Sequence, residues 1–145
     1  MLGGDAVAKL LVVDDDPDLV NLLAFRLRQL GHLVVTAGSA DEALSVVADR
    51  GLPGLAVLDV LMPGVSGLEL LVKLRAGSGG HGQQGASGAA GQLPAVFLSG
   101  RVEAGDVAAG RALGATYLTK PVVINALGEA IDDLLLASAV KDGGW

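Results

Sequence analysis

Asp14, Asp15 and Asp16 stand in a row at the end of an apolar run, in the stretch LLVVDDDPDL at residues 10–19. Three more polar groups end similar runs: Asp59 in LAVLD, Ser99 in AVFLS and Lys120 in TYLTK. Neighbouring carboxylates repel, and at the edge of a core they resist losing water. A chain tolerates them when they cap a helix, face solvent or share a cation. Clustered carboxylates suit a hard divalent cation such as Mg²⁺, which takes oxygen ligands, keeps several waters and often completes its shell with phosphate oxygens. One aspartate of such a cluster can act as a nucleophile toward phosphorus. A lysine and a hydroxyl across the site would bind the new phosphoryl oxygens.

Each residue also has a plainer use. Asp16 before Pro17 is better read as a helix cap than as a metal ligand. Asp14 and Asp15 could form a solvated turn, Ser99–Gly100 a turn, and Lys120–Pro121 a surface corner. Asp59 is harder to dismiss, because an acid set between Leu58 and Val60–Leu61 is costly without a purpose.

The elements that would carry these groups alternate. Short apolar runs at 9–13, 33–36, 55–58, 95–98 and 116–119 read as strands. Asp16–Pro17 opens a helix to about Leu30, with Leu19, Leu22, Leu23, Leu27 and Leu30 expected on one face and Gly31 as its stop. Ser39 with Glu42 and Ser66 with Glu69 form capping-box patterns, ahead of Leu44, Val46 and Val47 and of Leu71, Val72 and Leu74. A fourth helix is expected over 102–113. A fifth should span 125–137, with Leu127, Ile131, Leu134 and Leu135 on one side. Five strand–helix repeats predict an α/β fold, a doubly wound (βα)₅ unit with a five-stranded parallel sheet. In the flavodoxin-like order 2-1-3-4-5, strands one and three are neighbours, so Asp14, Asp15 and Asp59 meet at the carboxyl edge where such sheets build sites. Ser99 and Lys120 reach the same edge. The segment AGSGGHGQQGASGAAGQ (76–92) carries no Asp, Glu, Lys or Arg and reads as a flexible Gly-rich insert at the opposite edge.

Composition removes several function classes. The chain has 145 residues, enough for one domain with a real core. No cysteine is present, so disulfides, thiol catalysis and cysteine zinc sites are excluded. Lys plus Arg is 10 against 16 for Asp plus Glu, a net charge of −6 that argues against direct nucleic-acid binding. No apolar run approaches the roughly 20 residues of a membrane span, and MLGGDAVAK does not read as a signal peptide. A cytoplasmic location is expected.

Taken together, the motifs resemble the response-regulator receiver domain of two-component signalling, over nearly the whole chain from Lys9 to Ala137. VVDDDP (12–17) is similar to the family's acidic motif, with Asp14 and Asp15 in the paired positions. LAVLDVLMPGVSGLEL (55–70) is similar to the phosphoacceptor strand and its loop. That implies Asp59 as acceptor and the backbone carbonyl of Leu61 as a further metal ligand. FLSG (97–100) implies Ser99 as the switch hydroxyl. YLTKP (117–121) implies Lys120 as the phosphate-binding lysine and Tyr117 as an aromatic switch, where the plain alternative is a core aromatic. The implied cofactor is Mg²⁺, with Mn²⁺ able to substitute. The implied donors are a histidine kinase, a phosphotransfer protein or a small phosphodonor. Phosphorylation would reshape the face of the fourth helix, fifth strand and fifth helix. That face could engage a downstream target, a fused output domain or a second copy of the chain.

Two other readings compete. A Mg²⁺-dependent aspartyl phosphohydrolase commonly carries a second acid two residues beyond its nucleophile, where this chain has Leu61. A phosphorylation-independent scaffold usually lacks an acid or the lysine, and both are present here. The expected layout is a tail at 1–8, a receiver at 9–138 and a tail at 139–145, with stand-alone and fragment forms both open. The only catalysis expected is of the chain's own phosphorylation and dephosphorylation.

Overall fold

The computed structural model describes residues 8–79, 92–100 and 104–142. Five strands, β1 (Lys9–Val13), β2 (Leu33–Ala37), β3 (Leu55–Asp59), β4 (Ala95–Ser99) and β5 (Thr116–Thr119), form one sheet. All pairings are parallel, in the order β2-β1-β3-β4-β5. The helices are α1 (Pro17–Gln29), α2 (Ala40–Arg50), α3 (Gly67–Gly79), α4 (Ala104–Ala112) and α5 (Ile124–Asp142).

Every residue of β3 and β4 is buried, as expected of central parallel strands covered on both sides. Alternate residues feed two separate cores. Leu10, Val12, Val57 and Val96 pack with Leu23 and Leu27 of α1 and with Leu127 and Ile131 of α5. Leu11, Leu58 and Phe97 pack on the other face, with Ala43 of α2 and Leu70, Leu71 and Leu74 of α3.

The helix faces differ in places from the simple apolar count. On α1 the buried stripe is Val20, Leu23, Ala24 and Leu27, while Leu22 and Leu30 are exposed. Leu19 is half-buried on that same core, as expected, whereas Leu22 lies about 100° around the helix from Leu23 and Leu30 stands past the last residue of α1. On α3, Leu70 takes the buried place and Val72 faces solvent. Leu134 and Leu135 of α5 are half-buried as expected, and Leu136 is exposed.

Two boundaries shift. Residues 76–79 continue α3, since Ala76 favours propagation of a helix already nucleated. The rest of the expected insert, 80–91, lies outside the described residues, as do 102–103 of the fourth helix. The helix α5 runs to Asp142, because no breaker lies between Ala137 and Gly143–Gly144.

Two polar groups tie the sheet's N-terminal edge. The Arg75 guanidinium donates to the Leu93 carbonyl through Nε and Nη2 (3.1 and 2.8 Å) and to the Leu113 carbonyl through Nη1 (2.7 Å). It joins the end of α3 to the entry of β4 and the exit of α4. Arg75→Ala strands these carbonyls and is expected to cost about 2–4 kcal/mol, read by denaturant unfolding.

His32 is buried, and its Nδ1 accepts the Ala8 N–H at 3.1 Å. Burial holds its pKa below the ordinary 6.5, against a weaker opposing pull from Asp132. The unfolded chain therefore takes up a proton near pH 6.5 that the folded chain refuses. His32's contribution is present above that pH and lost as pH falls through the depressed value. His32→Gln, which retains an acceptor, is expected to flatten stability between pH 7 and 5 in thermal melts.

Candidate functional site

The acidic turn after β1 is set by local hydrogen bonds. The Asp16 side chain accepts from the N–H groups of Asp18 and Leu19 (3.0 and 3.4 Å), so Asp16 caps α1. Asp14 Oδ1 accepts the Asp16 N–H at 2.9 Å, and the Asp14 N–H bonds the Ala37 carbonyl at 3.2 Å. Asp14 is 1% exposed, while Asp15 faces solvent.

Asp59 is the last residue of β3 and is 3% exposed. Since β1 and β3 pair directly, its carboxylate meets the acidic turn. Carboxylate oxygens of Asp14, Asp15 and Asp59 lie within 4.8 Å of one another. Lys120 extends from the end of β5 and donates to Asp14 Oδ2 at 2.9 Å and Asp59 Oδ1 at 3.3 Å. One ammonium thus links two carboxylates that are themselves close together.

Burial, chiefly, and then the Asp14 charge push the Asp59 pKa up from 3.8 to about 6, against the pull of Lys120. For Lys120, burial opposes the charged form, but the hydrogen bond and charge of Asp14, followed by Asp59, hold its pKa above the ordinary value. The cluster carries more negative charge than Lys120 balances. An all-oxygen donor set with surplus negative charge fits a hard divalent cation.

Ser99 ends β4 and is buried, and its carbonyl accepts the Lys120 N–H at 2.8 Å. In the sheet register Asp59 pairs with Leu98, and Ser99 with Thr119. Hydroxyl, acceptor strand and lysine therefore share one edge. Leu61 lies in the loop directly after β3, its side chain 55% exposed while Val60 and Met62 on either side are buried. The reciprocal bonds Ser66 N–H to Glu69 Oε1 (3.2 Å) and Glu69 N–H to Ser66 Oγ (3.1 Å) form the expected capping box at α3.

Tyr117 stands apart, one turn of the pleat deeper in the sheet. Its half-buried ring tilts 53° against Phe97 at 6.3 Å between centroids. Among the described residues its buried hydroxyl has no hydrogen-bond partner. Gly110 of α4 leaves the space for it, since a Cβ there would lie 3.2 Å from the Tyr117 ring and 3.3 Å from Phe97. Neither Gly110 nor Gly67 is among the residues expected from sequence to serve the site. For Gly110 the available signal is a glycine inside a helix, where alanine is intrinsically favoured, whereas Gly67 is the first residue of α3 and carries no such signal.

Comparison with known proteins agrees with this fold. Residues 10–132 match the model of the response regulator receiver domain. The chain is 36% identical over 140 residues to the transcriptional regulatory protein GlrR of Escherichia coli, covering 95% of this chain and 29% of GlrR. The structure of NtrX from Brucella abortus superposes with a TM-score of 0.78 at 30% identity, over 95% of this chain and 29% of NtrX. The chemotaxis protein CheY4 of Vibrio cholerae superposes with a TM-score of 0.72 at 25% identity, over 89% of this chain and 99% of CheY4. The chain thus spans under a third of the length of GlrR and NtrX. No helix among the described residues is long and apolar enough to cross a membrane.

Proposed function

Because this chain belongs to the response-regulator receiver family, we propose that it is a phosphorylatable receiver whose acceptor is Asp59. The observation that carries this reading is a buried aspartate at a strand end, facing two further carboxylates and bonded to a lysine. Asp14, Asp15, Asp59 and the Leu61 carbonyl would hold Mg²⁺, or Mn²⁺ in its place. When bound, the ion would supply positive charge that offsets the carboxylates and the phosphoryl group.

The protein's own groups do the rest. An oxygen of the ionised Asp59 carboxylate forms the new O–P bond as the donor's bond to phosphorus breaks. The electron pair leaves with the donor, a phosphohistidine nitrogen of a histidine kinase or phosphotransfer protein, or a small phosphodonor. Lys120 exchanges its bond to Asp59 for one to a phosphoryl oxygen, and Ser99 donates to another. Asp14 keeps Lys120 in place through the exchange. Attack of water on the phosphorus later returns the free carboxylate and inorganic phosphate.

The new charge at the strand ends biases the α4-β5-α5 face between two packings, with Ser99 turning toward the phosphoryl group and Tyr117 packing inward. That face then engages a protein target, an output domain in a longer regulator, or a second copy of this chain. GlrR is named a transcriptional regulatory protein, and a regulator of that kind is the output proposed for a longer form.

Incubation with phosphoramidate and Mg²⁺ tests the reading. One phosphoryl group per chain and amide shift changes concentrated in α4, β5 and α5 are expected. A folded chain that takes up no phosphoryl group would leave the scaffold reading in its place.

A further inference from the structure

The helix α3 opens on Gly67, and its first turn lies against the backbone of the proposed acceptor. The Gly67 N–H bonds the Val60 carbonyl at 3.0 Å, closing the loop that contains Leu61. A methyl group built on Gly67 would overlap the Asp59 carbonyl oxygen. It would also stand 2.9 Å from the Asp59 carbonyl carbon and 3.2 Å from Val60 Cα. All three are backbone atoms, so no rotamer change relieves the contact.

Neither partner can retreat without disturbing packed neighbours. Within the sheet β3 is held between β1 and β4, and the Val60 N–H bonds the Leu98 carbonyl at 2.9 Å. The helix α3 is anchored by Leu70, Leu71 and Leu74, all buried in one core. Gly67 differs from Gly64 in the same loop. Gly64 has a φ of +84° and open space around its Cβ position, so it answers a conformational need. At Gly67 the need is room.

We infer that Gly67 is a positioning residue for this site. Through the Asp59–Val60 peptide it sets where the Asp59 carboxylate and the Leu61 carbonyl stand relative to Asp14, Asp15 and Lys120. A side chain at 67 moves the acceptor and the loop carbonyl together. The inference rests on the reading of Asp59 as phosphoacceptor.

Gly67→Ala and Gly64→Ala provide the test, as matched substitutions in one loop. Three readouts are compared with wild type: amide shifts of Asp59–Leu61 in the metal-free protein, Mg²⁺ affinity by titration, and the rate of phosphorylation by phosphoramidate at saturating Mg²⁺. For Gly67→Ala, displaced amide shifts, weaker Mg²⁺ binding and a rate loss on the order of 10²-fold are expected. Gly64→Ala is expected to lower stability through backbone strain and to keep the Mg²⁺ affinity and rate of wild type. If Gly67→Ala is incompletely folded, all three proteins are compared in trimethylamine N-oxide, which favours the folded state. Wild-type shifts, affinity and rate in Gly67→Ala would overturn the inference, as would equal losses in Gly64→Ala. A wild type that takes up no phosphoryl group would instead sink the phosphoacceptor reading. The amide shifts and the Mg²⁺ titration would still decide the role of Gly67.

Discussion

Asp59→Asn is expected to abolish phosphorylation and, in metal-free buffer at pH 7, to leave the protein more stable than wild type. The buried carboxylate has its pKa raised from 3.8 to about 6, mainly by burial and then by Asp14. The folded chain therefore binds a proton more tightly than the unfolded chain. Asp59's relative contribution to stability is favourable below pH 3.8 and is lost as pH rises through about 6. A rise of that size corresponds to at most roughly 3 kcal/mol held against folding at neutral pH, and solvent screening of the site lowers it further. Asparagine has nearly the same shape without the charge. Urea unfolding in EDTA should show the variant ahead by up to that amount at pH 7, with the gap closing toward pH 4. Mg²⁺ should narrow the gap by stabilising the wild type alone. A variant no more stable than wild type at pH 7 would show that Lys120 fully offsets the buried charge. His32 acts in the opposite direction, since wild-type stability that depends on its neutral form is lost on acidification. Comparing Asp59→Asn with His32→Gln across pH 4–7 separates the two contributions.

Lys120→Met is expected to have the second large effect. Lys120 is the ammonium that contacts both Asp14 and Asp59. Its removal leaves two buried carboxylates facing each other. Because the lysine is 25% exposed, solvent screens part of the pair. A loss of about 1–3 kcal/mol in metal-free buffer is expected. Asp59 should then titrate higher still, as its main counter-charge is gone. Mg²⁺ should restore more stability to this variant than it adds to wild type, because the ion replaces the missing positive charge. Phosphorylation should slow on the order of 10²–10³-fold even at saturating Mg²⁺, since the phosphoryl oxygens lose a fixed donor. Recovery of stability without recovery of rate is the signature of a lysine that serves both fold and chemistry. Equal recovery of both would assign it to the fold alone.

Much of this was legible in the residues because the chemistry sits at strand ends. Apolar runs of four to five residues ending in Asp59, Ser99 and Lys120 can be recognised without coordinates. The parallel order 2-1-3-4-5 then brings them to one edge. Asp16 as a cap followed from Pro17 behind it. Other features depend on three-dimensional contact. The stripe of α1 cannot be chosen from its many apolar residues alone, and Leu22 and Leu30, expected inward, lie outward. The continuation of α3 through Gly79 was hidden by a composition that favours loops. Nothing in the spacing foretold that Arg75 would reach the carbonyls of Leu93 and Leu113, or that Gly67 would lie on the Asp59 backbone. Both are approaches between separate elements, whose spacing only packing decides.

Intact-mass measurement of wild type and Asp59→Asn after acetyl phosphate, each with and without Mg²⁺, tests the central claim most directly. One acid-stable, base-labile phosphoryl group is expected on the wild type with Mg²⁺ and on none of the other three samples. A phosphoryl group on Asp59→Asn, or one on the wild type that forms equally well in EDTA, would contradict the assignment of Asp59 and its acidic neighbours as a metal-assisted phosphoacceptor.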